Sequence, residues 1–150
     1  MKRIIGERFN ELFCSADTLC LDLGDNFADE DGDPMPAYSL NIVGDCHFEK
    51  DGTVLLALAD IYAAYGTNGS ASIKDPRFVA VRDALVGTKV SEATLTKTGE
   101  LTVRFDNGIL FFFHAVNGAY FGLYPHHSYE ASFFYGDKKK HPWRSFRQDE

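Results

Sequence analysis

Cations are scarce where carboxylates are dense. Between residues 17 and 60 a single Lys, Lys50, stands against 11 Asp and Glu. That deficit argues against a nucleic-acid surface, which needs a basic face to hold phosphates. Cysteine is sparse too: Cys14, Cys20 and Cys46 form an odd set without a Cys-x-x-Cys pair. Neither a disulfide framework nor a structural zinc site is expected, and a reducing cytoplasm fits. No apolar run nears the ~20 residues of a membrane-spanning helix. The opening "MKRIIGERFNELF" sets charges inside what would be the apolar core of an export signal, so the expectation is a cytoplasmic chain. Phosphate-cradling glycine loops, nucleophile–base pairs and metal-ligand spacings do not stand out either. The expectation is a non-enzymatic protein without a cofactor.

What is present suits one domain with an ample core. The 150 residues are 45% hydrophobic and include 13 Phe and 7 Tyr. Charge divides unevenly along them. Residues 1–75 carry 5 Lys/Arg against 14 Asp/Glu, and residues 76–150 carry 10 against 8. An acidic half favours solubility and a basic protein partner.

Period two dominates the text. "LCLDL" sets Leu19, Leu21 and Leu23 on one face, "YSLNI" sets Tyr38, Leu40 and Ile42, and "LTVRF" sets Leu101, Val103 and Phe105. "TVLLALADIY" and "ILFFFH" are near-continuous apolar runs, as central strands are. Asp51-Gly52, Asn107-Gly108 and Asn117-Gly118 are pairs that tolerate the positive φ of tight hairpins, and Gly99 marks a fourth turn. One helix is predicted near 76–86: Asp75 caps, Pro76 opens, and Phe78, Val81 and Leu85 follow at helical spacing.

A short repeat organises these elements. "IIGERF" at 4–9 matches "LVGTKV" at 85–90, each followed by an alternating strand. Ile5, Phe9, Leu12 and Phe13 also fit a helical stripe, but the repeat favours strand for the first segment. The expected fold is α+β and mainly antiparallel β. Two related β-meanders, about 1–66 and 77–136, form a sandwich or a strongly bent sheet. "GTNGSASIKDP" at 66–76 reads as their connector, and 137–150 as a basic tail.

"VSEATLTKTGELTVRFDNG" and "SYEASFFYG" carry a resemblance, through Gly99, Leu101, Val103, Phe105, Asn107, Gly108, Tyr129 and Glu130. The segment 85–136 is similar to small bacterial proteins that resemble the immunity proteins encoded beside secreted toxins. The resemblance implies neutralisation of a toxin and brings no catalytic residues with it. Ser132 departs from the Trp common two residues after that Tyr-Glu.

Several clusters invite chemistry. "DNFADEDGDP" packs Asp25, Asp29, Glu30, Asp31 and Asp33 into nine residues. With Gly32 at position 6 of a calcium loop, Phe27 and Tyr38 would fall at positions 1 and 12, where carboxylates belong. The EF-hand is therefore excluded. With Asp45, Glu49 and Asp51 these side chains are instead expected to bind a basic partner, such as a nuclease toxin. "YPHHSYE" offers His126 or His127 with Glu130, and a metal there would require His114 or His47 to converge. Cys46 beside His47 lacks the positive surroundings a thiolate nucleophile needs. The aromatics Phe111–Phe113, Tyr120, Phe121, Tyr124 and Phe133–Tyr135 read as core. Their alternative reading is the wall of a pocket in a small-ligand-binding β module. The tail "DKKKHPWRSFRQ", with Trp143 and Phe146, reads as solvated or docked on the acidic half.

Overall fold

A computed structural model describes residues 1–126 and 133–136, the side chains of 133–135 excepted. The chain is α+β and mainly antiparallel sheet. The first sheet has the order β1 (Phe9–Ser15), β2 (Thr18–Leu23), β5 (Tyr38–Val43), β11 (Tyr120–Pro125), β12 (Phe133–Gly136). The second has the order β7 (Thr53–Ala57), β6 (Cys46–Lys50), β10 (Leu110–Phe113), β9 (Leu101–Phe105), β8 (Val90–Leu95). A small ribbon pairs β3 (Phe27–Ala28) with β4 (Pro34–Met35).

Alternation turns into burial as expected of pleated strands. Tyr38, Leu40 and Ile42 are buried while Ser39, Asn41 and Val43 are half-buried; Leu101, Val103 and Phe105 are buried around exposed Arg104. Both sheets feed one hydrophobic cluster, in which Phe9 of β1 meets Phe105 of β9 edge to face at 5.6 Å. The glycine turns also fall where expected. Asp51 and Gly52 take φ +51° and +79° between β6 and β7, and Asn117 and Gly118 take +55° and +82° before β11.

Three strands of each half stay together, but the next two cross over. β1, β2 and β5 belong to the first sheet and β6–β7 to the second; β8, β9 and β10 belong to the second and β11–β12 to the first. The halves thus exchange their last hairpins instead of each keeping to its own sheet. The crossovers lie against one another. A side chain on Gly44 would stand 2.4 Å from the Ala119 Cβ, and the His114 N–H donates to the Asp45 carbonyl at 2.9 Å.

The expected helix forms as α3 (Pro76–Leu85), with Phe78, Val81 and Leu85 in the core. Two more helices join it, α1 (Leu58–Tyr65) and α2 (Gly69–Ser72), so one helix was too few. The run "TVLLALADIY" is strand only to Ala57; beyond it Leu58 and Ile61 are buried at helical spacing and Gly66 ends the helix at φ +59°. The connector forms α2 because Asn68 caps it, its Oδ1 accepting the Ala71 N–H. Gly69 lets it lie on β1, since a Cβ there would meet the Cys14 carbonyl at 2.4 Å. The three cysteines are free, Cys20 and Cys46 being buried. Burial first, and then the Asp45 carboxylate, pushes the Cys46 thiol up, opposite to what a nucleophile needs.

Candidate functional site

The acidic stretch is an ordered hairpin inserted between β2 and β5. Phe27 pairs with Met35 and Ala28 with Pro34. At its base Gly24 donates its N–H to the Arg8 carbonyl at 2.7 Å and fits tightly against Ala37. Arg8 also reaches Asp25 at 3.7 Å, an exposed pair of small energetic weight.

Asp29 closes the tip from inside. Its Oδ1 accepts the N–H groups of Asp31 and Asp33, each at 2.9 Å. Its own N–H donates to the Asp33 carbonyl at 2.9 Å, and Gly32 at φ +82° completes the turn. One carboxylate of the five thus holds the loop, while Asp25, Glu30, Asp31 and Asp33 are exposed.

Asp45, Glu49 and Asp51 do not join the hairpin into one patch. The hairpin precedes Tyr38, at one end of β5, and exposed Asp45 follows Val43 at the other, ~20 Å along the strand. Asp51 lies in the turn after Lys50, a similar span from Asp45 along β6. Glu49 is half-buried, 3.8 Å from His47.

His47 and His114 do meet, on the solvent side of the second sheet. Their rings stack at 5.5 Å, and His47 also stacks on Phe112 at 5.1 Å. His114 Nδ1 lies 3.0 Å from Glu100 Oε2. They do not converge on His126, which sits on the first sheet. Among the described residues no three His, Cys, Asp or Glu are placed to hold a metal ion. His127, Tyr129, Glu130, Ser132 and the tail with Trp143 and Phe146 lie outside the described residues.

A polar row missed by sequence reading contains His126. Asp22 of β2 is the cross-strand partner of Ser39 on β5, whose Oγ donates to Asp22 Oδ1 at 3.1 Å. With its proton so used, Ser39 accepts from His126 Nε2 at 3.0 Å. Burial pushes the Asp22 carboxyl up, against the Ser39 hydrogen bond and the nearby His126; Glu11 adds to the rise. Nucleophilic catalysis would place the imidazole between the serine and the acid. Here the serine stands in the middle, so the row relays hydrogen bonds from His126 through Ser39 to Asp22. Only strand register brings these residues together, and 87 positions separate Ser39 from His126.

The aromatics divide between core and surface. Phe111, Phe113 and Phe121 are fully buried, with Phe113 and Phe121 edge to face at 5.2 Å, while Phe112, Tyr120 and Tyr124 are half-buried. The side chains of Phe133, Phe134 and Tyr135 lie outside the described residues. An open groove of about 510 Å³ does exist beside α3, but its lining is aliphatic and cationic, not aromatic. Comparison with protein-family models, with curated proteins and with solved structures finds no match.

Proposed function

We propose that the chain is a non-enzymatic protein-binding module whose acidic hairpin, 24–37, engages a basic protein partner. On this reading it is a bacterial immunity protein acting in the cytoplasm, a sandwich of two related meanders whose hairpin neutralises a basic toxin such as a nuclease. The observation that carries the reading is the tip. Asp29 holds the turn from within, so Glu30, Asp31 and Asp33 are presented on a preset backbone and lose little freedom on binding. A nuclease must be basic where it holds phosphates, so clustered carboxylates fit the same site. Complementary charge also raises association toward ~10⁸–10⁹ M⁻¹s⁻¹ at low salt. Asp45, Glu49 and Asp51 belong to the proposed surface only as a second contact region along β6.

The test begins with the product of the neighbouring gene and a binding assay. Replacing Glu30, Asp31 and Asp33 by Gln and Asn, with Asp29 kept, should slow association and flatten its salt dependence. An unchanged association rate in that variant moves the interface off the hairpin.

A further inference from the structure

We propose that the groove between α3 and the β6–β7 hairpin binds an amphiphilic carboxylate, with its headgroup at Lys50 and its apolar body along the helix. This site is independent of the acidic hairpin, and the observations that build it concern α3.

The helix shows two faces. Phe78, Val81 and Leu85 go into the core, while Pro76, Ala80 and Ala84 recur every fourth residue along an exposed flank. Their small side chains leave room that larger ones would fill. The floor is apolar: Val81 and Ile109 are buried and Leu55 of β7 is half-buried. The volume, about 510 Å³, is in the range that takes a small organic ligand.

The two ends differ in charge. At the N-terminal end Arg77 is already engaged: Nε and Nη2 each donate to the Asp75 carboxylate at 3.0 Å, and Nη1 is 3.8 Å from Asp60. Asp75 is in turn fixed by the Tyr65 hydroxyl at 2.8 Å. Arg77 therefore closes that end as a neutralised, clamped side chain. At the other end Asn107 donates to the Ala84 carbonyl at 2.9 Å and so ties the helix to the β9–β10 turn. Lys50 lies over the same turn, its Cε 3.7 Å from where a Gly108 Cβ would stand. Among the described residues no carboxylate pairs with Lys50, and no Asp or Glu lines the groove. An aliphatic trough with one uncompensated ammonium at its end is complementary to an anionic head on an apolar chain. From Arg77 to Ala84 the helix spans ~10 Å, a length that a medium alkyl body covers.

The full chain is titrated with hexanoate, octanoate, decanoate, decanol and decyltrimethylammonium, each below its micelle concentration, with binding read from backbone amide shifts. Decanoate should shift the amides of Ala80, Ala84, Leu55 and Gly108. Affinity should rise about three- to fourfold per added methylene. Decanol should bind more weakly, and the cationic amphiphile should leave these amides in place. Lys50→Glu should weaken decanoate about tenfold, and Ala84→Phe should abolish its shifts by filling the trough. Both positions are exposed, and an unchanged melting temperature confirms each fold. Equal binding of decanoate and decyltrimethylammonium, shifts that survive Ala84→Phe, or no shift at millimolar decanoate would overturn the proposal. None of these results bears on association through the acidic hairpin.

Discussion

Gly6 and Gly87 hold one another's segments in place. The Gly6 N–H donates to the Val90 carbonyl at 2.7 Å, and the Gly87 N–H donates to the Phe9 carbonyl at 3.0 Å. The Val90 N–H returns a bond to the Glu7 carbonyl and the Phe9 N–H to that of Thr88. Arg8 and Lys89 bridge between them. The repeated segments therefore form a reciprocal, two-fold clasp where the edges of the two sheets meet.

Both glycines stand at positive φ, +88° and +85°, and a Cβ on either would meet nothing within 4 Å. The cost of Gly6→Ala or Gly87→Ala is then backbone strain alone, about 1–2 kcal/mol for each. Urea unfolding should show similar losses at the two sites, smaller ones for Asn, and an unchanged slope. A much larger loss at one site would mean that the two ends of the clasp bear unequal strain.

The clasp was legible as a repeat of letters, but its pairing was not. Strands such as Tyr38–Val43 and Leu101–Phe105 could be read because one face is buried and the other is not. "TVLLALADIY" reads as a central strand, but it is strand only to Ala57, in β7 at the edge of its sheet, and α1 prevails where Leu58 and Ile61 find the core. α2 was hard to read, since Gly, Ser and Ala there look like a linker, whereas the Asn68 cap and the close approach of Gly69 to the Cys14 carbonyl set a helix on β1. The hairpin exchange depends on Gly44 meeting Ala119, a contact between distant positions. At the site, the carboxylate count was visible, whereas Asp29's inward role and the Asp22–Ser39–His126 row depend on geometry and register.

Asp29 and its acidic neighbours should separate by experiment. Asp29→Ala removes the acceptor of two backbone N–H groups, so the amides of Asp31 and Asp33 should exchange faster. Asp29→Asn keeps an acceptor oxygen and should preserve most of the protection. Global stability should change by less than about 1 kcal/mol in either, because the tip touches little core. Equal exchange in the Ala variant and the parent would show that the tip does not depend on that carboxylate.

Asp75 makes the fold sensitive to acid. Hydrogen bonds from the Arg77 side chain first, and then from the Tyr65 hydroxyl, hold its carboxyl far below the usual carboxylate range. A depressed folded-state pKa adds stability above the unfolded value, near pH 4, which is lost as pH falls toward the folded one. Asp75→Asn should lower the melting temperature at pH 7, because it weakens the cap of α3 and unbinds Arg77. It should also flatten the decline below pH 4. Melting curves at pH 2–7 that fall in parallel for both proteins would argue that other carboxylates control the acid limb.

Tyr62 offers a stabilising change. Its hydroxyl is buried without a hydrogen-bond partner among the described residues, and burial pushes its pKa up, with Cys14 and Asp17 adding to the rise. A desolvated hydroxyl that bonds nothing costs free energy, so Tyr62→Phe should be neutral or stabilising, by up to about 1 kcal/mol. A clear loss in denaturant midpoint would show that the hydroxyl is satisfied in solution.

The Asp22 row should give the opposite pH signature to Asp75. Burial raises the Asp22 carboxyl above its ordinary range despite the hydrogen bond from Ser39 and the attraction of His126. A raised folded-state pKa favours the neutral acid, so the contribution to stability is full below the unfolded value near pH 4. It is lost as pH rises through the folded one. Asp22→Asn removes the charge and keeps an oxygen for the Ser39 hydroxyl. That variant should melt a few degrees higher than the parent at pH 7 and with it at pH 3. Ser39→Ala should act in the other direction, since losing the Ser39 donor leaves the half-buried Asp22 charge less compensated at neutral pH. If Asp22→Asn instead lowers stability at pH 7, the ion's pairing with His126 outweighs its burial.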